Sequence, residues 1–442
     1  MKPIGIIILL LSSITAPRGR AAPASYQASA TAYVQTLKLL TDVMVFDVTG
    51  PCAAARYYAY ANLAAYEVFY QQARPANYVP FGQVLRHYPE IVPLPESQAI
   101  DVTFASLYAL LRAGEELLPS GHLLAAPRSR LIREAGKAYP SKKETIAASM
   151  AYADHIVGQV VKYAAQDGYL KTSGYLRYTP LKQASGWQPT PPGYMEAYEP
   201  HWATLRPFLL DSAAQFKPLP AVAFSADAGT PFHALAQEVH AITSNLSPEQ
   251  KLIANFWDCN PFFLVQQGHV SYGTKKISPA GHWMGITGIA CLQQQVSLAE
   301  AIRWHTLVGL TMADAIISCS QEKYRSQRIR PETYINAHLD AAWRPLLQTP
   351  PFPEYTSGHS VVSTSVALVL TALAGDNIPF TDTAEVEFGL PARSFTSFNQ
   401  AAREAAISRL YGGIHFRDAV ENGLLQGQQI GAFVLRKLKL NQ

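Results

Sequence analysis

At 442 residues, with 48% hydrophobic and 15% charged residues, the chain is long enough to bury a large core and too apolar to be disordered. Its formal net charge of +4 does not favour nucleic acid or an acidic membrane surface as a partner. The four cysteines lie far apart without metal-ligand spacing, so disulfides and buried free thiols both remain open: Cys52, Cys259, Cys291 and Cys319.

The first 24 residues have the order of a secretory signal peptide. Lys2 precedes a largely apolar run at 4–14, and small residues follow at Ala22 and Ala24. The run of about eleven residues is too short to span a bilayer, so we expect cleavage and no transmembrane anchor. Cleavage would remove three positive charges (Lys2, Arg18 and Arg20) and lower the net charge from +4 to +1. The expected location is secreted or periplasmic.

Beyond this segment, most of the chain has helical periodicity. Apolar residues recur at three- and four-residue steps in stretches such as SATAYVQTLKLLTDVM and IDVTFASLYALLRAGEELL. The stretch GWQPTPPGYMEAYEPHWATLRPFLL interrupts the pattern and predicts a long ordered connector. Strand-like runs are few and short. We therefore predict an all-α protein of packed helical bundles, with an N-terminal helical half at 25–245 and a C-terminal catalytic half at 246–442.

The tripeptide Ser-Gly-His occurs twice, and each copy combines a hydroxyl, a backbone N–H and an imidazole. The first copy, at 120–122, follows Pro119 at the end of an amphipathic helix, and no ordered set of cations surrounds it. We expect it to be a surface turn without function. The second copy, at 357–359, has cations on both sides and is the candidate site.

Two blocks flank this second copy. Upstream, Lys323 lies seven positions before Arg330, which is followed by Pro331. Seven positions are about two helical turns, so we predict that both cations share one helix face and that the proline ends the helix. Downstream, Arg409 precedes His415 by six positions, and two intervening glycines allow a sharp turn.

Together the blocks Lys-x6-Arg-Pro, Ser-Gly-His and Ser-Arg-x5-His resemble a motif set shared by vanadium-dependent haloperoxidases and type 2 phosphatidic acid phosphatase-like acid phosphatases. They occur in order within roughly 300–437, with 21 residues between Pro331 and Pro353 and 48 between His359 and Ser408. The stretches AARYYAYANLAAYE and FWDCNPF are similar to those of the longer exported haloperoxidase-like members. The resemblance implies the helical-bundle fold of the vanadium haloperoxidase/acid phosphatase type.

The resemblance also implies a site for a tetrahedral oxyanion, vanadate or phosphate. Its expected ligands supply arginine forks, a lysine charge and a helix N-terminus: Lys323, Arg330, Ser357, Gly358 and Arg409. His415 would be the vanadium ligand in a haloperoxidase or the nucleophile on phosphorus in a phosphatase. His359 would be the acid–base group in either case.

The sequence departs from the family pattern after the second histidine. Phosphatase-type motifs place an aspartate four residues later, but Ala419 stands there and Asp418 comes one residue early. The group that orients His415 is therefore left open between Asp418 and another partner.

The halide or substrate pocket is the least constrained part of the site. Ser320 occupies a position that is aromatic in several haloperoxidases, whereas Phe352 matches the aromatic residue of chloro- and iodoperoxidase-like members. His282 lies in SPAGHWMGI, which we interpret as a turn near the entrance. The candidate pocket residues are thus Phe352, His282 and Ser320.

Three functions remain open at this point. The leading hypothesis is an exported vanadium-dependent haloperoxidase that oxidises halide with hydrogen peroxide and has vanadate as its cofactor. The alternative is an acid phosphatase that acts on a phosphomonoester through a phosphohistidine and needs no cofactor. A phosphate-binding scaffold without turnover is the third, although the presence of both His359 and His415 argues against it. No Cys/His set or carboxylate pair in the sequence indicates zinc, iron or calcium.

Overall fold

The computed structural model describes residues 29–95, 99–138, 142–261, 263–267, 269–273 and 275–440, so the predicted signal peptide at 1–24 lies outside the described residues. The first helices are α1 (Ala30–Phe46), α2 (Pro51–Ala73), α3 (Val102–Leu117), α4 (Ala125–Ala138), α5 (Lys143–Ala165), α6 (Tyr169–Thr172) and α7 (Pro231–Ser244). The later helices are α8 (Pro248–Phe256), α9 (Pro279–Gln293), α10 (Leu298–Ser326), α11 (Pro331–His338), α12 (Gly358–Ala374), α13 (Phe398–Tyr411) and α14 (Arg417–Lys437).

Two short antiparallel hairpins accompany the helices. β1 (Leu264–Gln267) pairs with β2 (Val270–Gly273), and β3 (Phe380–Asp382) pairs with β4 (Arg393–Phe395). The predicted connector at 186–210 is described throughout, and its regular helical structure is limited to a 3-10 turn at Trp202–Thr204. Because helices make up most of the regular structure, the all-α prediction is confirmed.

The core is organised around α2 and α10, which cross closely. All side chains of α2 from Cys52 to Val68 are buried, as expected for a helix enclosed on every side. A Cβ atom added to Gly309 of α10 would lie 3.2 Å from the Cα of Ala59 in α2. Glycine at this position therefore allows the two helices to pack closely. The same hydrophobic core includes α12 and α13. The C-terminal end of α10 is thereby held beside the N-terminal end of α12.

The prediction that Lys323 and Arg330 share one helix face is wrong. Helix α10 ends at Ser326, and Gln327 turns the chain with a left-handed φ of 50°. Arg330 is extended (φ −86°, ψ 154°), as expected before a proline, and Pro331 begins α11 instead of ending α10. The two cations therefore come from different elements, and tertiary packing brings them together.

The structure answers the question that the sequence left open about the cysteines, and it describes how apolar the helices are. Cys52, Cys259, Cys291 and Cys319 are buried free thiols. Among the described helices, none is both long and apolar enough to cross a membrane.

Candidate active site

A cavity at the C-terminal end of α10 collects most of the predicted site residues. Its lining includes Lys323, Gly358, His359, Arg409 and His415. Lys323 lies in the last turn of α10 and Arg409 in the last turn of α13, while His415 lies in the short connection before α14. The three blocks of the sequence motif thus meet in one place.

The remaining two predicted oxyanion ligands, Ser357 and Arg330, are fully buried and are not among the described residues that line the cavity. Ser357 is the N-cap of α12, where its Oγ accepts a hydrogen bond from Ser360 N at 3.3 Å. Arg330 is completely buried, and its Nη1 donates to His415 Nε2 at 3.1 Å. The N-terminus of α12 adds a favourable helix dipole and free backbone N–H groups to this cationic region.

Three buried cations lack a carboxylate partner. Lys323, Arg330 and Arg409 are 5%, 0% and 2% exposed, and no described carboxylate forms an ion pair with any of them within 4.0 Å. Lys323 Nζ instead donates to the carbonyl oxygens of Pro353, Glu354 and Thr356. The carboxylates that attract them, Glu354 for Lys323 and Arg330 and Asp258 for Arg409, lie beyond ion-pair distance. Buried charges without a close ion pair are costly, so this arrangement favours the binding of an anion.

Burial also lowers the pKa values of these three cations, because it destabilises their charged forms. Burial, with a smaller contribution from the nearby Arg330, lowers the pKa of Lys323 to about 8. Burial lowers the pKa of Arg330 to about 10 and that of Arg409 below its usual value. An anion between the three side chains would stabilise their charges and restore these pKa values.

Glu354 orients His415, which answers the question left open by Ala419. His415 Nδ1 donates to Glu354 Oε1 at 2.8 Å, so the other ring nitrogen, Nε2, carries the lone pair. Burial, then Arg330 and Lys323, hold the pKa of His415 well below its usual value. The imidazole is therefore neutral at neutral pH, and its Nε2 lone pair accepts the hydrogen bond from Arg330 Nη1.

Asp418 has a different role from the one the phosphatase pattern suggests. Its carboxylate accepts from Arg328 Nη1 at 2.9 Å and from Val222 N at 3.1 Å. Ala419, at the position of the family aspartate, accepts a hydrogen bond from Ser357 N through its carbonyl oxygen. Asp418 thus braces the chain around the site while Glu354 contacts His415.

His359 is held through a backbone carbonyl. Its Nε2 lies 2.9 Å from the carbonyl oxygen of Trp257, which can only accept, so Nε2 carries the proton and Nδ1 the lone pair. Burial, then Arg409 and His415, hold the pKa of His359 well below its usual value. The neutral ring can therefore accept a proton within the cavity. The sequence did not indicate Trp257 as the partner of His359, because a contact through a backbone carbonyl oxygen does not depend on the residue type.

The predicted pocket residues separate into two groups. Phe352 and Ser320 line the cavity, and the Phe352 ring lies 5.1 Å from both Lys323 Nζ and Arg330 Cζ. The placement of His282 in an entrance turn is wrong. It lies in α9, is completely buried and is absent from the described cavity lining.

The first Ser-Gly-His copy lies away from this cavity. Residues 120–122 fall at a 3-10 turn (Gly121–Leu124) after α3, and His122 is exposed. The expectation of a surface turn is met.

Taken together, the helical bundles and the cationic cavity define an oxyanion-binding enzyme of the haloperoxidase and acid phosphatase class. A family model described as the VCPO second helical-bundle domain matches residues 303–441. A crystal structure of a bacterial vanadium-dependent iodoperoxidase is 40% identical to this chain, with a TM-score of 0.87, and the match covers 93% of this chain and 97% of the other. The chain belongs to the vanadium-dependent haloperoxidase family.

More distant structures share the fold. Holo- and apo-type structures of a bacterial vanadium-dependent chloroperoxidase match with TM-scores of 0.63 and 0.64 at 17% and 18% identity. These matches cover 88% and 89% of this chain, and 93% and 96% of the chloroperoxidase chains. No curated protein sequence matches the chain.

Proposed function

We propose that this protein is a vanadium-dependent haloperoxidase that oxidises halide with hydrogen peroxide. The observation that carries the proposal is the set of three buried cations without a carboxylate partner among the described residues, facing the lone pair of a neutral imidazole. Vanadate fits this donor set because it needs both dispersed positive charge for its oxygens and a nitrogen ligand for the metal. The residues that would hold it are Lys323, Arg330, Ser357, Gly358, Arg409 and His415.

Each side chain has a separate task in this proposal. Bound vanadate supplies the Lewis-acid chemistry that activates hydrogen peroxide towards halide. Lys323 and the two arginines offset the negative charge of the oxygens, while Glu354 holds the proton on His415 Nδ1 and so keeps the lone pair on Nε2. His359 takes up a proton at Nδ1 from a reactant and returns it to a product, since its Nε2 proton is engaged by Trp257.

Iodide is the halide that we propose as the preferred substrate. The 40% identical neighbour is an iodoperoxidase by its description. Phe352 and the thiols of Cys52 and Cys319 line the cavity beside the cations, so its wall is apolar and polarisable. Such a wall replaces the hydration of a halide poorly, and among the halides this costs least for large, weakly hydrated iodide.

The acid phosphatase hypothesis uses the same neutral His415 as a nucleophile, so the first experiment compares the two activities directly. Purified protein is stripped of oxyanions and divided. One portion receives orthovanadate and is assayed with hydrogen peroxide and iodide, bromide or chloride, and the other receives p-nitrophenyl phosphate without vanadate.

The expected result is vanadate-dependent halide oxidation that is greatest with iodide and is lost in His415→Ala. His122→Ala, in the other Ser-Gly-His copy, is the matched histidine control and should retain activity. Phosphate release without halide oxidation would contradict the proposal and assign the chain to the phosphatases. Halide oxidation that favours bromide or chloride would overturn the iodide preference alone.

We also propose that the protein is exported, on the basis of its first 24 residues. N-terminal sequencing of the protein from its native source should find a start shortly after residues 22–24. A mature chain that still carries Met1 would contradict export by this route.

A further inference from the structure

A second cluster of polar side chains lies beside the cavity, outside the oxyanion site. Cys259 follows α8, His282 lies in α9, and Glu385 directly precedes the 3-10 turn at Val386–Phe388. The three residues are 4%, 0% and 2% exposed. They are far apart in the sequence, so no local Cys/His spacing indicates that the fold brings them together.

The spacing of the three donor atoms matches a tetrahedral metal centre. Cys259 Sγ lies 3.2 Å from His282 Nδ1 and 3.4 Å from Glu385 Oε1, and His282 Nδ1 lies 3.2 Å from Glu385 Oε1. Zinc bonds of about 2.3 Å to sulfur and about 2.0 Å to nitrogen and oxygen, at tetrahedral angles, would space these donors about 3.3–3.6 Å apart. The observed triangle is therefore within about 0.4 Å of the edges that zinc requires.

A fourth side chain fixes the direction of the imidazole. His282 Nε2 lies 2.7 Å from Asp382 Oδ2, and both residues are completely buried. A carboxylate on the far nitrogen is the usual support of a metal-binding histidine, because it directs the lone pair of the other nitrogen at the ion. Nδ1 lies 3.2 Å from both Cys259 Sγ and Glu385 Oε1, so the three donor atoms surround one shared centre once a cation displaces the protons between them. A cation at this centre would replace the hydrogen bonds that now join the three atoms.

We propose that Cys259, His282 and Glu385 bind a zinc ion, with Asp382 as the support of His282. Zinc takes a thiolate, an imidazole and a carboxylate together, and its binding releases to solvent the Cys259 thiol proton and any proton on His282 Nδ1. Cys259 also lines the cavity, which provides a path for the ion and room for a water as fourth ligand. This site goes beyond the haloperoxidase function and does not depend on it.

The zinc ion would stabilise the wall that carries His359. The His282 ring stacks on Trp257, with ring centroids 4.6 Å apart and an interplanar angle of 19°. The carbonyl oxygen of the same Trp257 accepts the hydrogen bond from His359 Nε2. Zinc would thus immobilise His282, Trp257 and, through them, the imidazole of His359.

The test measures metal binding directly and needs no halide oxidation. Full-length protein is purified without added metal, stripped with a chelator, incubated with excess Zn²⁺, desalted and analysed for zinc by mass spectrometry. We expect about one zinc per chain in the wild type and in Cys291→Ser, and a loss of zinc in Cys259→Ser. Cys291 is the matched control because it is equally buried and lies in α9, the helix that carries His282.

Co²⁺ added to the stripped protein gives a second readout, since cobalt bound to a thiolate shows a charge-transfer band in the near ultraviolet. The band should appear in the wild type and in Cys291→Ser and be lost in Cys259→Ser. If circular dichroism shows that Cys259→Ser is unfolded, Glu385→Gln replaces it, and its zinc affinity should fall by about tenfold or more. A folded wild type that retains no zinc and shows no band would overturn the proposal and leave a hydrogen-bonded network. Either outcome is independent of vanadate and of peroxidase activity.

Discussion

In the Glu354→Gln variant, a neutral amide of nearly the same size replaces the carboxylate that accepts a hydrogen bond from His415 Nδ1. Glu354 is completely buried, and its second oxygen lies 3.3 Å from Arg328 Nη1. The variant therefore loses a charge and a strong acceptor for the imidazole but little packing volume. Two effects on anion binding follow, and they have opposite signs.

The lost charge favours every anion in the site. The carboxylate and a bound anion would lie about 7 Å apart across the imidazole, which corresponds to about 2 kcal/mol of repulsion at an effective dielectric constant of about 20. This repulsion disappears for vanadate and for phosphate alike. The weakened support of the imidazole would act only on vanadate, because in the proposed site only vanadium, and not phosphorus, would bond to His415 Nε2 at binding equilibrium. Loss of such a support typically costs about 10- to 100-fold in metal affinity, or ~1.4–2.7 kcal/mol.

The ratio of vanadate affinity to phosphate affinity isolates the second effect, because the electrostatic contribution is common to both anions and cancels. We expect this ratio to fall by about 10- to 100-fold in Glu354→Gln. Equilibrium dialysis against each anion, with vanadium and phosphorus measured by elemental analysis, gives the two dissociation constants.

Asp418→Asn is the matched control, because Asp418 also pairs with Arg328 but does not contact His415. Its affinity ratio should stay at the wild-type value. An unchanged ratio in Glu354→Gln together with a reduced ratio in Asp418→Asn would refute the assignment of Glu354 as the positioning residue. That result would restore the family pattern, in which an aspartate after the second histidine orients the ring.

Three further results are expected from the same site. Because burial lowers the pKa of Lys323 to about 8, its positive charge is lost as the pH rises through about 8, and vanadate affinity should fall above that pH. Lys323→Met, which controls for the ionisation of vanadate itself, should lack this additional step in dialysis at several pH values. His359→Ala should retain vanadate but lose about 100- to 10,000-fold in kcat for halide oxidation. A vanadate affinity that falls by as much as kcat would contradict an acid–base role. Ser357→Ala should lower the free energy of unfolding by ~1 kcal/mol in urea titrations, because the N-cap of α12 is lost, and an unchanged midpoint would argue against the cap.

The chemistry of the oxyanion site could be predicted from the sequence because its residue types are unusual in combination. Packing alone rarely requires lysine, arginine and histidine at these three spacings, so the combination indicated a functional site. The fold brings all three blocks to one cavity. Helical periodicity likewise indicated the all-α architecture, since a repeat of three to four residues is a local property of the chain. In contrast, the Lys323–Arg330 spacing suggested one helix, although the chain turns at Gln327.

The partners of the site residues depend on tertiary structure. Glu354 and His415 are 61 residues apart, and His359 and Trp257 are 102 residues apart, so no local pattern connects them. Asp418 was the nearer candidate in the sequence, yet its position at the start of α14 directs it to Arg328 instead. The sequence alone determined which groups were available for catalysis. Packing decided which nitrogen of each histidine is free and which cations are left unpaired, because proton positions and charge balance depend on neighbours distant in the chain.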